Sequence, residues 1–316
     1  MNRQTGRLEF KLGAFGRLVP LLTAACMILW AACSQSNVNG YVIAFFAALV
    51  VGALFARDDK AYGEAIVYGL CKPMFAVIVL AVMLAAVSGK LISASGMVQT
   101  IANYVVAVGL TGRWFVAAAF LITCLLAFST GTSVGTYFVV IPILFPVGVM
   151  AGAAPQYMLG AIVSGAAFGD NLGPISDTTI ASSSTQHADL GTVVRTRMRY
   201  SIPAAVGALV LFLLFTRTGE DRLLDETMQE AAVRPLSLIM LVVPVTIVAL
   251  CLLRKHLITP LSYGILAGAA AGLVSGIYRV EDVVAFPGGF AVSGLVTESI
   301  GGTAGTVAML IAVFAL

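Results

Sequence analysis

Two carboxylates stand out by where they fall. From Trp114 to Gly169 the sequence has no Asp, Glu, Lys or Arg, and the next residue is Asp170. The string then runs Gly169-Asp170-Asn171-Leu172-Gly173-Pro174-Ile175-Ser176-Asp177-Thr178-Thr179. Carboxylate, amide, hydroxyl and carbonyl oxygens are the ligands of a hard cation such as sodium. Pro174 removes a backbone donor and clashes with the preceding turn, so the string cannot be one continuous lipid-facing helix. A charge at the bilayer centre costs at least about 2.5–3.5 kcal/mol, so two carboxylates there need partners. The expected arrangement is a discontinuous helix. One half ends near Gly169, a short unwound loop follows, and a second half starts near Ser176 or Asp177, either of which can cap it. A carboxylate in that loop can take a proton or a cation in turn, and so exchange one for the other. The alternative on residues alone is an extramembrane loop, rich in Gly, Asp and Pro because turns are.

A second constellation is Ser129-Thr130-Gly131-Thr132-Ser133-Val134-Gly135-Thr136, which lies between two apolar runs. Its hydroxyls and glycines, free of charge, suit the tip of a re-entrant hairpin that offers oxygens to an ion or a carboxylate. The plainer reading is hydroxyls satisfying the backbone of a helical hairpin. Other candidates are weaker. His187 and His256 have no second ligand at useful spacing and read as structural or solvated. Arg195, Arg197 and Arg199 read as anchors near lipid headgroups. Lys90 and Arg113 bracket 91–112 and fit interfacial snorkelling. Glu298 reads as a loop residue, with an intramembrane acid as the alternative. Cys26, Cys33, Cys71, Cys124 and Cys251 show no metal spacing and read as buried thiols. No phosphate-binding loop, metal triad or nucleophile elbow occurs, so an enzyme is not expected.

The elements that must position these residues follow from composition. Of 316 residues 59% are hydrophobic and 10% charged, against about 25% charged in a soluble domain. Mean hydropathy is +1.00. A soluble fold and disorder are excluded, and a net charge of +3 is too small for a nucleic-acid footprint. At about 20 residues per span, an all-α polytopic membrane protein of about 8 to 10 crossings or part-crossings is expected. The runs are continuously apolar and do not alternate, which argues against a β-barrel. Arg3, Arg7, Lys11 and Arg17 precede the apolar run Leu18–Ala32. This reads as a first span behind a cytoplasmic N-terminus; Trp30-Ala31-Ala32-Cys33 resembles a lipoprotein cleavage site only weakly. The basic breaks at Arg57, Arg195–Arg199 and Arg254-Lys255 are expected on the cytoplasmic side, and the acidic stretch Glu220–Glu230 outside. A faint repeat aligns Ala47–Gly52 with Ala269–Val274, Ala65–Leu70 with Phe290–Leu295, and Phe75–Leu84 with Thr306–Leu316. Weak repeats of this kind build many transporters. The expected organisation is a basic N-terminus (1–17), a first repeat (18–215) with its hairpin (114–154) and broken helix (157–190), a polar loop (216–235) and the start of a second repeat (236–316). The region 91–113 is expected as an interfacial arm. The chain ends inside an apolar run, so a truncated gene product is expected.

Phe168 to Thr179 and Gly131-Thr132-Ser133-Val134-Gly135-Thr136, in this order and spacing, resemble the two signatures of the NhaC-type Na⁺/H⁺ antiporters of the ion transporter superfamily. The resemblance covers about residues 60 to 215 well. It implies inverted repeats, each with a re-entrant hairpin and a broken helix. It implies exchange of a cation for protons, in some members with an organic acid. Carried over, Asp170, Asn171, Ser176, Asp177 and Thr178 line the ion site, and Thr132 and Ser133 face it from the hairpin. Pro174, Thr179 and Thr130 complete the candidate set. Asp170, Asn171 and Asp177 are the expected Na⁺ ligands. Gly173 departs from the family pattern, where a serine is expected. Family members are also longer, so the second repeat is expected to be incomplete here.

The functional expectation is secondary active exchange of Na⁺ for H⁺ across the bacterial inner membrane, by a multi-pass protein with a cytoplasmic N-terminus. One alternative is an organic-acid (dicarboxylate) symporter or exchanger on the same scaffold. Another is a non-transporting fragment or subunit that needs a partner chain. No cofactor is expected beyond Na⁺ as the transported ion. The expected partners are the lipid bilayer, a small cation and the proton, with no nucleic acid; a homo-oligomer is left open.

Overall fold

The computed structural model describes residues 9–173, 176, 179, 182–183, 186–216, 234–253, 255–288 and 291–316. The chain is a nearly all-helical, multi-pass membrane protein. Among the described residues eight helical stretches are long and apolar enough to cross a bilayer. In chain order the described helices begin with α1 (Ala14–Cys33), α2 (Val38–Phe55), α3 (Asp59–Leu70), α4 (Pro73–Ala94) and α5 (Met97–Ala107). Then come α6 (Arg113–Thr130), α7 (Ser133–Met150), α8 (Pro155–Leu172) and α9 (Leu190–Phe215). A 3₁₀ segment (Pro235–Leu241) leads into α10 (Val242–Leu252), followed by α11 (Ile258–Val274) and a single turn, α12 (Val280–Val283). A short antiparallel hairpin, β1 (Ala285–Gly288) and β2 (Ala291–Ser293), precedes α13 (Leu295–Gly302) and α14 (Ala304–Ala315). The repeat alignment sets Ala65–Leu70, in helix α3, against a stretch that includes β2, so the two aligned stretches differ locally.

The chain divides into two compact units, Met1–Met83 with Ser299–Leu316, and Leu84–Glu298. In the first, α1 and α2 pack as an antiparallel pair. Lys11 Nζ donates to Leu54 O at 2.8 Å, and Arg57 meets Glu9 at 3.2 Å. Lys11 and the basic break after Ala56 therefore share one end of the pair. That ion pair is about 60% exposed, so it contributes at most about 1 kcal/mol.

The second unit is organised by α6 and α8, its most extensively packed pair. Between helices in lipid the attraction is van der Waals contact, which favours small residues at the interface. Gly165 and Gly169 recur at a spacing of four on one face of α8, with Gly173 as the next in register. A Cβ at Gly165 would sit 2.8 Å from Phe120 O, and one at Gly169 would sit 2.6 Å from Phe128 N and against Cys124 O. The two backbones touch because these side chains are missing. The rest of the unit closes around this pair. α7 carries Pro142 and Pro146, and its Gly148 accepts Met158 and Phe115. α9 lays Phe212 on Phe120 with ring centres 5.7 Å apart.

Two expectations are corrected here, for the cysteines and for Glu298. Only Cys124 is buried; Cys26, Cys33 and Cys71 are exposed and Cys251 is intermediate. An apolar run carries no mark of which face meets lipid and which meets protein, so hydropathy cannot locate a thiol. Residues 91–94 complete α4, and α5 has 11 residues, too few to cross; its Met97, Val98, Thr100 and Ala102 are buried, so it is packed into the unit. Glu298 lies in the first turn of α13, not in a loop, and pairs with Lys90 of α4 at 3.0 Å. Lys90, read as a snorkelling residue, thus has an acidic partner.

The packing account predicts that Gly169→Ala will destabilise the protein by about 1–3 kcal/mol, because the new methyl overpacks a backbone contact. Gly207→Ala on α9, where a Cβ meets nothing within 4 Å, is expected to be neutral or to gain up to about 1 kcal/mol from helix propensity. Thermal unfolding of the two purified variants in detergent would read the difference. Equal midpoints would refute the close approach.

Candidate functional site

The string opening at Gly169 forms a helix end and the chain beyond it. α8 runs on to Leu172, one turn further than Gly169. Gly169 stays helical because its role is close approach to α6. The stop is set by Pro174, which disfavours helical backbone in the residue before it. Gly173 accordingly turns out of the helix, with φ −60° and ψ 117°. It also lies in close contact with the hairpin tip: a Cβ there would sit 3.3 Å from Phe128 O and 3.4 Å from Gly131 Cα. The serine expected at this position would press against both.

Asp170 is half-buried in the last turn of α8. The Ser176 hydroxyl donates to Asp170 Oδ1 at 2.6 Å across the break. Ser176 itself is buried, and its N–H donates to Gly173 O at 3.1 Å. Asn171 is exposed, and its side-chain amide donates to Ser201 Oγ on α9 at 3.3 Å. Thr179 is fully buried. Pro174, Asp177 and Thr178 lie outside the described residues.

The hairpin tip is built by its own hydroxyls. Gly131 ends α6 in the left-handed region (φ 68°), which favours glycine. Thr132 caps α7, its Oγ1 accepting from Gly135 N at 3.3 Å. The Thr136 hydroxyl donates to Thr132 O at 2.7 Å and lies 3.2 Å from Thr130 Oγ1. Ser133 stands in the first turn of α7. The structure thus brings Asp170 to Ser176 and the hairpin backbone to Gly173. Among the described residues no hydrogen bond joins Thr130, Thr132 or Ser133 to Asp170.

One residue of the break was read otherwise from the sequence. Arg197 of α9 is half-buried. Its Nη1 donates to Asn171 O at 3.2 Å and to Thr179 Oγ1 at 2.8 Å, and its Nη2 donates to Ser182 Oγ at 2.9 Å. A signal was present. In a helix Arg195 and Arg199 share a face, and Arg197 lies on the opposite one. The two outer arginines are exposed.

Chemically the described residues of the break offer a carboxylate, hydroxyls and helix-end carbonyls, an oxygen donor set that suits a hard cation. Among the described residues no three His, Cys, Asp or Glu side chains cluster as a transition-metal centre would.

Comparison with known families matches residues 10–217 to the Na⁺/H⁺ antiporter family. The chain belongs to that family. It is 33% identical over 189 residues to the malate-2H⁺/Na⁺-lactate antiporter of Bacillus subtilis, covering 58% of this chain and 39% of that one. It is 30% identical over 179 residues to the Na⁺/H⁺ antiporter NhaC of Alkalihalophilus pseudofirmus, covering 55% of this chain and 38% of that one. With NhaC of Bacillus subtilis it shares 26% over 258 residues, 77% of this chain and 54% of that one. The chain therefore spans between about two fifths and just over half of the length of these antiporter relatives. No solved structure matches. The family match contains both motifs and Arg197.

α9 owes its start to Asp189, whose carboxylate accepts from the Thr192 N–H at 2.8 Å and the Thr192 hydroxyl at 2.9 Å. Those bonds, the backbone one first, hold the Asp189 carboxyl below its ordinary value. A lowered folded value means that the cap's charge-dependent contribution is fully present above the ordinary aspartate value of about 3.9. It is lost as pH falls below that range through the lowered folded value. Amide exchange at Leu190–Val193 should therefore lose protection on acidification in the unaltered protein. Asp189→Ala should lack that protection at every pH. Asp189→Asn, which caps without a charge, should keep it without the acid step; an acid step retained in Asp189→Asn would exclude Asp189 as its source.

Proposed function

We propose that the break after α8 is a cation site and that Asp170 exchanges Na⁺ for H⁺ there. The observation that carries this reading is the placement of Asp170. It is a half-buried carboxylate at a helix end, held by Ser176 and preceded by 56 residues without a charge. A carboxylate that is occupied by either Na⁺ or H⁺ is neutral, and an empty one is not. In a membrane protein the neutral forms reorient at lower cost, so movement of one ion outward obliges return of the other. Ser176 donates to Oδ1, and Oδ2 is the oxygen offered to ion or proton. The carbonyls at the end of α8, the negative end of its dipole, add to the attraction for a cation. Asp177 and Thr178 are assigned to the same site on the sequence pattern alone, and Thr132 and Ser133 to its hairpin side.

The membrane is the bacterial inner membrane. The N-terminus is on its cytoplasmic face, an orientation supported by Lys11 and Arg57 at one end of the α1–α2 pair. A relative named a malate-2H⁺/Na⁺-lactate antiporter, together with a guanidinium at the break, supports a second reading in which an organic acid is carried as well.

Proteoliposomes that hold the full chain and a pH-sensitive dye test the proposal. An imposed sodium gradient is expected to drive proton flux. Asp170→Asn is expected to reduce it to the level of protein-free liposomes, and Asp59→Asn, an exposed acid at the start of α3, is expected to leave it unchanged. Undiminished flux in Asp170→Asn would sink the assignment. Sodium-driven uptake of a labelled dicarboxylate would establish the second reading. Flux of neither solute by the unaltered chain would place it with the non-transporting alternative that needs a partner.

A further inference from the structure

Arg197 does more at the break than an anchor at the headgroups would do. α9 has 26 residues, about 39 Å of helix against about 30 Å of hydrocarbon. The surplus of about two turns puts its arginine-bearing start at the edge of the apolar layer. Arg195 and Arg199 are exposed there, as anchors should be. The Arg197 guanidinium instead reaches three acceptors, and they stand on both sides of Pro174. Asn171 O belongs to the last turn of α8; Thr179 Oγ1 and Ser182 Oγ lie beyond the break. Thr179 is fully buried and Ser183 nearly so. Ser182 also donates to Thr179 O at 3.0 Å, so the two acceptors beyond the break are tied to each other.

We propose that Arg197 is a positioning residue. Its planar fork ties the end of α8 to the segment that begins at Thr179, and thereby fixes the reach of the Ser176 hydroxyl to Asp170. Asn171 adjoins Asp170, and Thr179 is three residues from Ser176, so holding the first pair apart or together sets the second. A guanidinium suits the task because its nitrogens are rigidly spaced and donate in a plane, whereas a lysine ammonium is a point charge on a flexible stem. Its contact with a carbonyl at the C-terminal end of α8 is favoured by the helix dipole. The inference rests on the ion-site reading for its functional consequence, but the tie itself does not depend on it.

The experiment uses the full chain in nanodiscs with Arg197→Gln, Arg197→Lys and, as a control on the same helix, Arg195→Gln. Amide exchange is measured without sodium, and ²²Na⁺ binding at equilibrium. Loss of charge-assisted bonds is expected to speed exchange of the 176–189 peptide at least about tenfold in both Arg197 variants. Peptides of α6 and α7 are expected to stay protected, and Arg195→Gln to behave as the unaltered protein. Sodium affinity is expected to fall about tenfold in both Arg197 variants, a change that a general loss of stability would not produce in the folded fraction. Arg197→Lys matching the unaltered protein in both measurements would overturn the proposal, because charge alone would then suffice. If Arg197→Gln fails to fold, Ser182→Ala and Thr179→Val each remove one acceptor, and both should speed exchange of the same peptide; no change in either would overturn the tie. If the unaltered chain binds no sodium, the ion reading fails, and the exchange comparison alone supports or overturns the role of Arg197.

Discussion

The candidate site depends on how closely two helices approach. α6 and α8 touch backbone to backbone along Gly165, Gly169 and Gly173, and a methyl group at any of these positions would meet main-chain atoms of the facing helix or its tip. In lipid no hydrophobic effect drives helices together, so contact at this range supplies much of the attraction. It also sets where Asp170 stands. Asp170 follows Gly169 directly, and any displacement of α8 outward carries the carboxylate away from the hairpin tip. Gly173, where the resemblance led to the expectation of a serine, obeys the same constraint. A serine would add a hydroxyl, but its Cβ would sit 3.3–3.4 Å from Phe128 O and Gly131 Cα. At this position the chain has close approach in place of one more oxygen.

The break is two-sided in charge because a helix turns by about 100° per residue. Asp170 and Asn171 are neighbours in sequence, yet one side chain meets Ser176 and the other residue's carbonyl meets Arg197. A carboxylate and a guanidinium are thus brought to the same helix end without a direct ion pair between them among the described residues. The sequence from Trp114 to Gly169, which leads up to Asp170, holds no charge.

Much of the fold was legible in the sequence because the bilayer leaves few options. Continuous apolar runs can only be helices there. The membrane class, a count of about 8 to 10 crossings or part-crossings and the family all follow from run length and two motifs. What was not legible has physical reasons. The exposed Cys26, Cys33 and Cys71 lie in or beside apolar stretches whose lipid-facing and protein-facing sides have the same composition. The end of α8 was placed a turn early because glycine was read as a breaker, whereas Gly169 is there for contact and Pro174 ends the helix. Glu298 and Lys90 are 208 positions apart in sequence, so no local pattern could pair them. Arg197 was grouped with Arg195 and Arg199 by proximity along the chain. Helical periodicity separates it from them, but only contact with Thr179 and Ser182 shows what it faces.

The two charges also bear on why relatives of this chain carry two kinds of name, a Na⁺/H⁺ antiporter and a malate-2H⁺/Na⁺-lactate antiporter. On the proposed reading a cation or proton neutralises Asp170, and an organic carboxylate would neutralise a guanidinium in the same way. Arg197 here donates to a carbonyl and two hydroxyls rather than to an anion. A guanidinium has five N–H donors, so three such bonds do not exhaust it. Neutral acceptors hold it less strongly than a carboxylate would. On the proposed reading the break serves cation exchange while the arginine is engaged as a tie. On the second reading a substrate carboxylate would compete with those neutral partners for the guanidinium.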